Sequence, residues 1–153
     1  MELCIYTDGG SKGNPGPSAI GLVIYAGARP AGITIQKAEN ELVRYREDIG
    51  HGTNNEAEYT ALIRALEIIA GEHPTAKISE VEKVTKIMCH ADSELMVKQL
   101  NGLYKVKNDA IRQFVFKIRV LESQLRMPIT FHHIRREQNV LADALVNDAD
   151  RPV

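Results

Sequence analysis

The chain contains 153 residues, of which 44% are hydrophobic and 25% are charged. Its 19 basic and 20 acidic residues give a formal net charge of −1. These values are typical of one globular domain and exclude a disordered or collagen-like chain, and the near-zero charge argues against a strongly basic nucleic-acid binder.

The charge is distributed unevenly along the chain. Residues 1–76 carry six basic and ten acidic side chains, whereas residues 77–153 carry thirteen and ten. Between residues 98 and 136, nine basic residues stand against only Asp109 and Glu122, an excess of seven positive charges. This pattern predicts one cationic face on an otherwise neutral protein.

Export and membrane insertion are not predicted. Met1-Glu2 begins with an acid where a signal peptide has basic residues, and the longest apolar run, Ala19–Ala28, contains two glycines and is too short to span a bilayer. We therefore expect a cytoplasmic protein.

Strands and turns dominate the first part of the chain. The β-rich runs Leu3–Thr7 and Ala19–Ala26 flank Asp8–Pro17, which is dense in turn residues, so a hairpin is predicted. A third strand falls within Ala31–Lys37 or Leu42–Asp48, and the pattern does not choose between them.

Helices and short strands then alternate. A helix begins at Thr53 or Asn54, follows a stripe of apolar residues at helical spacing, and ends near Ala70, before Gly71 and Pro74. The remaining elements are a strand at Val84–Ala91, a helix at Ser93–Asn101, a helix capped by Asn108, a strand at Ile129–Ile134 and a helix from Glu137 to about Asn147. The order β-β-β-α-β-α-α-β-α predicts a single domain, residues 1–153, with helices on the faces of a mixed sheet.

Four carboxylates lie at element ends or on helices. Asp8 ends the first strand, Asp92 follows the Val84–Ala91 strand, Glu58 lies in the first turn of the first long helix, and Asp143 lies on the last helix. Taken singly, each fits a turn, a cap, a dipole partner or a solvated position. If the two strands are parallel neighbours, however, Asp8 and Asp92 emerge at one sheet edge, where gathered carboxylates repel unless Mg²⁺ or Mn²⁺ holds them.

The two cysteines are predicted to be buried free thiols. Cys4 lies four residues before Asp8, whereas Cys89 lies three residues before Asp92. Because successive side chains of a strand alternate between faces, the two thiols are expected on opposite faces of the sheet, which argues against a disulfide between them.

Four segments of the chain resemble the type 1 ribonuclease H family in order and spacing, over nearly its whole length. They are Tyr6–Ser11 with Asn14–Pro17, Thr53–Glu58, His90–Ser93 and Asn139–Leu145. The resemblance implies a five-stranded mixed sheet of order 3-2-1-4-5.

The resemblance also implies two Mg²⁺ ions, replaceable by Mn²⁺, held by Asp8, Glu58, Asp92 and Asp143. Asp8 would bridge the ions, Glu58 and Asp92 would complete one site and Asp143 the other. The implied reaction is endonucleolytic hydrolysis of the RNA strand of an RNA/DNA hybrid, leaving 5′-phosphate and 3′-hydroxyl ends, by a monomer.

Substrate contacts also follow from the resemblance. Asn14, Asn54 and Asn55 resemble the residues that meet the RNA minor groove, and Thr53 with Asn55 resembles a pocket for a phosphate of the DNA strand. Gly9 and Ser93, beside two of the acids, complete the expected substrate-binding set. Glu94 replaces a glutamine found in some relatives, and Glu56 is expected to be a surface acid of the first helical turn.

The chain departs from the family pattern in two places. Many members carry a long loop with a histidine before the last acid, whereas only Arg135–Gln138 joins the last strand to Asn139, as in a short-loop branch of archaea and bacteria. His132 and His133 are expected to be structural, one facing the core, and Arg136 would steady a phosphate without acting as a base. A long basic handle is also missing, and Lys105 and Lys107 are expected to make sequence-independent phosphate contacts instead.

Three other functions remain open at this point. The chain could be a catalytically silent nucleic-acid-binding module, although that leaves the four acids unexplained. It could be a nuclease that also or instead cleaves double-stranded RNA or a DNA junction. A fragment of a reverse transcriptase is the third possibility, against which the start at Met1 and the single expected domain count.

Overall fold

A five-stranded sheet organises the chain, and the computed structural model describes residues 1–31 and 36–147. Its strands are β1 Glu2–Ser11, β2 Gly16–Ala26, β3 Glu41–Gly52, β4 Lys86–Ala91 and β5 Ile129–His133. They lie in the order β3-β2-β1-β4-β5. Strands β1, β2 and β3 pair antiparallel, whereas β4 is parallel to β1 and β5 is parallel to β4. The mixed sheet and the strand order that the resemblance implied are confirmed.

Four α-helices cover the two faces of the sheet. They are α1 Asn54–Ala70, α2 Glu94–Leu100, α3 Asp109–Leu125 and α4 Val140–Val146, and short 3₁₀ turns lie at Val81–Lys83 and Arg136–Gln138. The main apolar core lies between the sheet and α1, α2 and α3. A smaller cluster lies on the opposite face, where Leu141 and Leu145 of α4 pack against Val23 and Tyr25. None of the helices within residues 1–31 and 36–147 is long and apolar enough to cross a membrane.

Local sequence signals set the helix ends. Side-chain oxygens of Thr53, Ser93 and Asn108 cap α1, α2 and α3 by accepting hydrogen bonds from backbone N–H groups of the first turn. Gly71 ends α1 in the left-handed conformation, at φ 78°. Glu56 is an acid of the first helical turn, as predicted, and its carboxylate also accepts a hydrogen bond from the Thr53 N–H at 3.0 Å, which completes a capping box.

Several predicted boundaries differ from the structure. The first strand does not end at Asp8 but continues to Ser11, because β1 stays paired with β2 as far as Ser18. The third strand contains Leu42–Asp48 and not Ala31–Lys37, part of which lies outside the described residues. The last helix begins at Val140 instead of Glu137, because Arg136–Gln138 first forms a 3₁₀ turn closed by the Gln138 side chain on the Arg135 N–H.

The cysteines and histidines show whether side chains lie on the sheet faces that the alternation along each strand predicts. Cys4 and Cys89 are free and buried, and they belong to the apolar clusters on opposite faces of the sheet, as predicted. His132 and His133 lie on opposite faces of the sheet, as predicted, and both are exposed. His132 stacks beside His90 with ring centroids 5.3 Å apart, and His133 shares a face with buried Phe131 but lies at the very end of β5.

Candidate active site

Three carboxylates converge at the carboxyl ends of the central strands. In the parallel pair β1–β4, Thr7 is in register with Ala91, so the next residues, Asp8 and Asp92, are neighbours. Helix α1 brings Glu58 to the same place. One carboxylate oxygen from each of the three acids lies within 4.8 Å of the other two. The sheet edge thus gathers three of the four predicted acids.

A close approach of β1 to α1 makes this convergence possible. A Cβ at Gly9 would lie 2.3 Å from the backbone carbon of Ala57, so only glycine fits between the strand and the helix. The Gly9 N–H donates hydrogen bonds to Asp8 Oδ1, at 3.0 Å, and to Glu58 Oε1. Gly9, predicted as a substrate contact, therefore organises two of the carboxylates.

The electrostatics of the cluster favour a cation. Asp8 and Glu58 are each 7% exposed. Burial, together with the negative charges of Asp92 and Asp143, raises the pKa of Asp8 to about 7. Burial and the charge of Asp8 also raise the pKa of Glu58 well above its usual range. Three oxygen ligands at this spacing, two of them with their ionisation disfavoured, suit a hard divalent ion such as Mg²⁺.

Asp143 faces the same cleft from α4. Its charge acts on Asp8, and Arg136 Nη2 lies 3.5 Å from its Oδ1. The Arg136 side chain is 79% exposed, so its guanidinium projects into solvent over the acids. The fourth acid and the predicted phosphate-steadying arginine are thus neighbours, whereas Asp143 is not one of the three acids whose oxygens meet within 4.8 Å.

Helix α4 is held close to the sheet at a glycine. Gly21 of β2 lies opposite Asp8, and a Cβ there would meet Ala142 O at 2.6 Å and Leu145 Cβ at 2.7 Å. Arg46 of β3 donates from Nε to Leu145 O at 2.9 Å. These contacts, which the sequence analysis did not anticipate, set how far Asp143 lies from the other acids.

The side-chain amides of Asn14 and Asn54 each use their oxygen in a hydrogen bond within the protein. The Ser11 N–H donates to Asn54 Oδ1 at 2.8 Å, and the Asn54 N–H donates to Asn14 Oδ1 at 2.9 Å. Both amide oxygens are thereby used, which leaves the Nδ2 groups as the ends available to donate outward. Asn54 and Asn55 line the cleft beside the acids, whereas Asn14 is exposed and is not part of its lining.

An open cleft of about 760 Å³ surrounds these groups. Its lining includes the four acids and the predicted residues Gly9, Asn54, Asn55, Ser93 and Arg136. Thr53, Lys105 and Lys107 are not part of this lining. Thr53 caps α1, and the two lysines are exposed on the segment between α2 and α3, where no carboxylate of the described residues forms an ion pair with either of them.

One buried residue behind the acids was missed as a functional residue. Asn139 immediately precedes α4, is 0% exposed, and donates from Nδ2 to Thr7 O at 2.8 Å. Its position four residues before Asp143 was visible in the sequence, but its contact with β1, 132 residues away, was not.

Comparison with known proteins places the chain in a family. A family model described as reverse transcriptase-like matches residues 6–149. The crystal structure of RNase H1 from the archaeon Halobacterium salinarum superposes with a TM-score of 0.78 at 33% identity, covering 97% of each chain. The chain belongs to the type 1 ribonuclease H family. The resemblance read from the four segments is therefore confirmed.

Other relatives of this ribonuclease H chain agree. The structure of LC11-RNase H1 in complex with an RNA/DNA hybrid, a protein isolated from compost, has a TM-score of 0.77 at 38% identity, covering 96% of this chain and 95% of that one. The bifunctional protein Rv2228c of Mycobacterium tuberculosis is 34% identical over 149 residues, covering 97% of this chain and 35% of that protein. Ribonuclease HI of H. salinarum is 35% identical over 144 residues, covering 94% and 62%. The chain thus spans less than two thirds of the length of these two curated relatives.

Proposed function

We propose that the protein is a Mg²⁺-dependent endonuclease that hydrolyses the RNA strand of RNA/DNA hybrids, leaving 5′-phosphate and 3′-hydroxyl ends. The observation that carries the proposal is the convergence of Asp8, Glu58 and Asp92 within 4.8 Å at the sheet edge. Family membership and the relative that was crystallised with an RNA/DNA hybrid support the substrate class.

The donor set fits two hard cations. Asp8, Glu58 and Asp92 would hold one ion, and Asp143 together with Asp8 would hold the second. Bound there, the ions would lower the pKa of the attacking water and stabilise the charge of an in-line displacement at phosphorus, and Mn²⁺ could take their place. The acids themselves need only stay ionised and fixed in position, so a loop histidine is dispensable.

Substrate recognition is proposed for the groups around the acids. Because the oxygens of Asn14 and Asn54 accept hydrogen bonds from the backbone, their Nδ2 groups would donate to the 2′-hydroxyls and base acceptors of a minor groove. Arg136, always charged, would steady a phosphate next to Asp143. Lys105 and Lys107 would contact phosphates farther along the duplex without reading sequence.

The proposal also covers further substrate contacts, the oligomeric state and the cellular compartment. Asn55 and Ser93 would contact the substrate in the cleft, and Thr53, whose hydroxyl oxygen already accepts the Glu56 N–H, would donate its hydroxyl proton to a phosphate of the DNA strand. We also propose that residues 1–153 form one ribonuclease H domain that acts as a monomer. Two buried free thiols are consistent with work in the reducing cytoplasm.

The test uses strand-labelled duplexes of RNA/DNA, RNA/RNA and DNA/DNA, each incubated with the protein in Mg²⁺, in Mn²⁺ and in EDTA. We expect cleavage of the RNA strand of RNA/DNA, dependence on the added metal, and loss of cleavage in the Asp92→Asn variant. Binding of the hybrid without cleavage would refute the proposal in favour of a silent binding module. Preferential cleavage of RNA/RNA would refute the substrate class while retaining the nuclease chemistry.

A further inference from the structure

Asn139 occupies a position at which its side chain would ordinarily cap a helix. It immediately precedes Val140, the first residue of α4, and asparagine is among the favoured residues for capping the first turn. Its side chain makes no capping hydrogen bond. The side chain is instead completely buried and turned toward the sheet.

The amide of Asn139 reaches two strands at once. Nδ2 donates to Thr7 O at 2.8 Å, and it lies 3.5 Å from Asp92 Oδ2, at the limit of a hydrogen bond. Both partners are oxygens that can only accept, so the opposite orientation of the amide would place Oδ1 against them. The hydrogen-bond network therefore fixes the NH₂ end toward β1 and β4.

The backbone of the same residue supports a third acid. The Asp143 N–H donates to Asn139 O at 3.0 Å in the first turn of α4. Thr7 directly precedes Asp8. Asn139 thus contacts the Asp92 side chain and the Asp143 backbone directly, and it contacts Asp8 through the adjacent residue Thr7.

We propose that Asn139 is the positioning residue that fixes these three carboxylates relative to one another for metal binding. Asp8 lies in β1, Asp92 directly follows the neighbouring strand β4, and Asp143 lies on α4, so Asn139 joins the sheet edge that carries the first two acids to the helix that carries the third. The inference rests on the proposed function, since it assigns to Asn139 the geometry of the metal site and no contact with the substrate.

A structural role for Asn139 makes different predictions from a positioning role. If the hydrogen bond to Thr7 only stabilises the fold, its loss lowers the unfolding temperature and leaves the turnover of the folded protein unchanged. If Asn139 sets the spacing of the acids, its loss weakens Mg²⁺ binding and lowers kcat. Removal of groups that orient metal ligands typically costs about 10- to 100-fold in metal affinity or activity. The KM for the hybrid should change little, because the proposed substrate contacts do not pass through Asn139.

The experiment replaces the side chain in two ways. Asn139→Ser retains a residue that caps helices well but is too short to reach Thr7, and Asn139→Ala removes both abilities. The matched control is Asn40→Ala, since Asn40 Nδ2 also donates to two backbone carbonyl oxygens, Ala26 O at the end of β2, at 3.0 Å, and Ala28 O, at 2.8 Å. It does so at the opposite end of the sheet from the acids.

The measurements are kcat and KM on a labelled RNA/DNA hybrid across a Mg²⁺ titration, calorimetric Mg²⁺ affinity of the free protein, and the unfolding temperature in EDTA. We expect both Asn139 variants to lose 10-fold or more in kcat or Mg²⁺ affinity, and Asn40→Ala to lose only thermal stability. If Asn139→Ala does not fold, as judged by circular dichroism, Asn139→Ser decides. Wild-type kcat and Mg²⁺ affinity in a folded Asn139 variant would overturn the inference. If the wild-type protein leaves hybrids intact, the proposed function fails, and the calorimetric affinity alone decides the role of Asn139.

Discussion

The substitution Asp8→Asn should abolish hydrolysis and stabilise the metal-free protein. Asp8 lies within 4.8 Å of Glu58 and Asp92 and is almost fully buried. At an effective dielectric constant of about 20, two unit charges this far apart repel by about 3 kcal/mol. An asparagine keeps the shape of the side chain and an oxygen that can accept the Gly9 N–H, so the change removes repulsion at little packing cost. We expect the free energy of unfolding in EDTA to rise by about 2 kcal/mol.

The assay is urea denaturation of both proteins in EDTA and in saturating Mg²⁺, together with hybrid cleavage. A pH of about 8.5 keeps Asp8 ionised, since burial raises its pKa to about 7. Asp109→Asn is the control, because Asp109 is an exposed acid of α3 in an exposed pair with Arg112, and its loss should cost about 0.5 kcal/mol or less. Mg²⁺ should stabilise the wild-type protein and not Asp8→Asn. The reasoning is refuted if Asp8→Asn is less stable than wild type in EDTA, or if it still cleaves the hybrid.

Two further predictions concern packing and thiol chemistry. Gly21→Ala would place a methyl group 2.6 Å from Ala142 O and 2.7 Å from Leu145 Cβ, so α4 must move outward. We expect a loss of about 1–3 kcal/mol in stability and a larger fall in kcat than in hybrid affinity, and an unchanged kcat would contradict it. Burial raises the pKa of both Cys4 and Cys89, so neither thiol should react with a thiol reagent until urea unfolds the protein. Titration of a thiol in the native protein would show this burial argument to be wrong.

The elements with local signals were predictable from the sequence. The apolar stripe of α1, its start at Thr53 and its end at Gly71 are properties of adjacent residues, and so is the Asn108 cap of α3. The capping box was equally local, since Glu56 lies three residues after Thr53, but its position in the first turn was interpreted as a solvated acid. Periodicity and capping therefore sufficed for the long helices.

The elements that depend on distant partners were not predictable in this way. Two β-rich segments competed for the third strand, and what selects Leu42–Asp48 is its pairing with β2. The last helix starts three residues later than predicted, because Arg136–Gln138 forms a 3₁₀ turn first, and the side chain of the next residue, Asn139, bonds to Thr7 on the distant strand β1. The strand order came from the resemblance to the family, since no single segment carries it.

In the candidate site, too, some features were predictable from the sequence and others depend on contacts between distant residues. The sequence placed Asp8 and Asp92 at one sheet edge on the condition that their strands are parallel neighbours, and the parallel register of β1 and β4 meets that condition. The residues around the acids make contacts far along the chain: Gly9 donates to Glu58, 49 positions away, Asn139 donates to Thr7, 132 positions away, and Gly21 closely approaches Ala142 and Leu145 of α4. A sequence pattern can therefore identify the ligands of such a site sooner than the residues that set their spacing.

The cationic surface is weaker than the count along the chain suggests. Of the nine basic residues between 98 and 136, Lys98, Lys117 and Arg136 pair with carboxylates outside that stretch, namely Glu94, Glu72 and Asp143. Counting these neighbours lowers the local excess from +7 to +4. All three pairs are partly or largely exposed, and such pairs contribute little stability, so these cations can exchange a carboxylate for a phosphate. Because a substrate duplex must displace existing partners at these three positions, the four basic residues of this stretch that pair with no carboxylate of the described residues, Lys105, Lys107, Arg126 and Arg135, should contribute most to the salt dependence of hybrid binding.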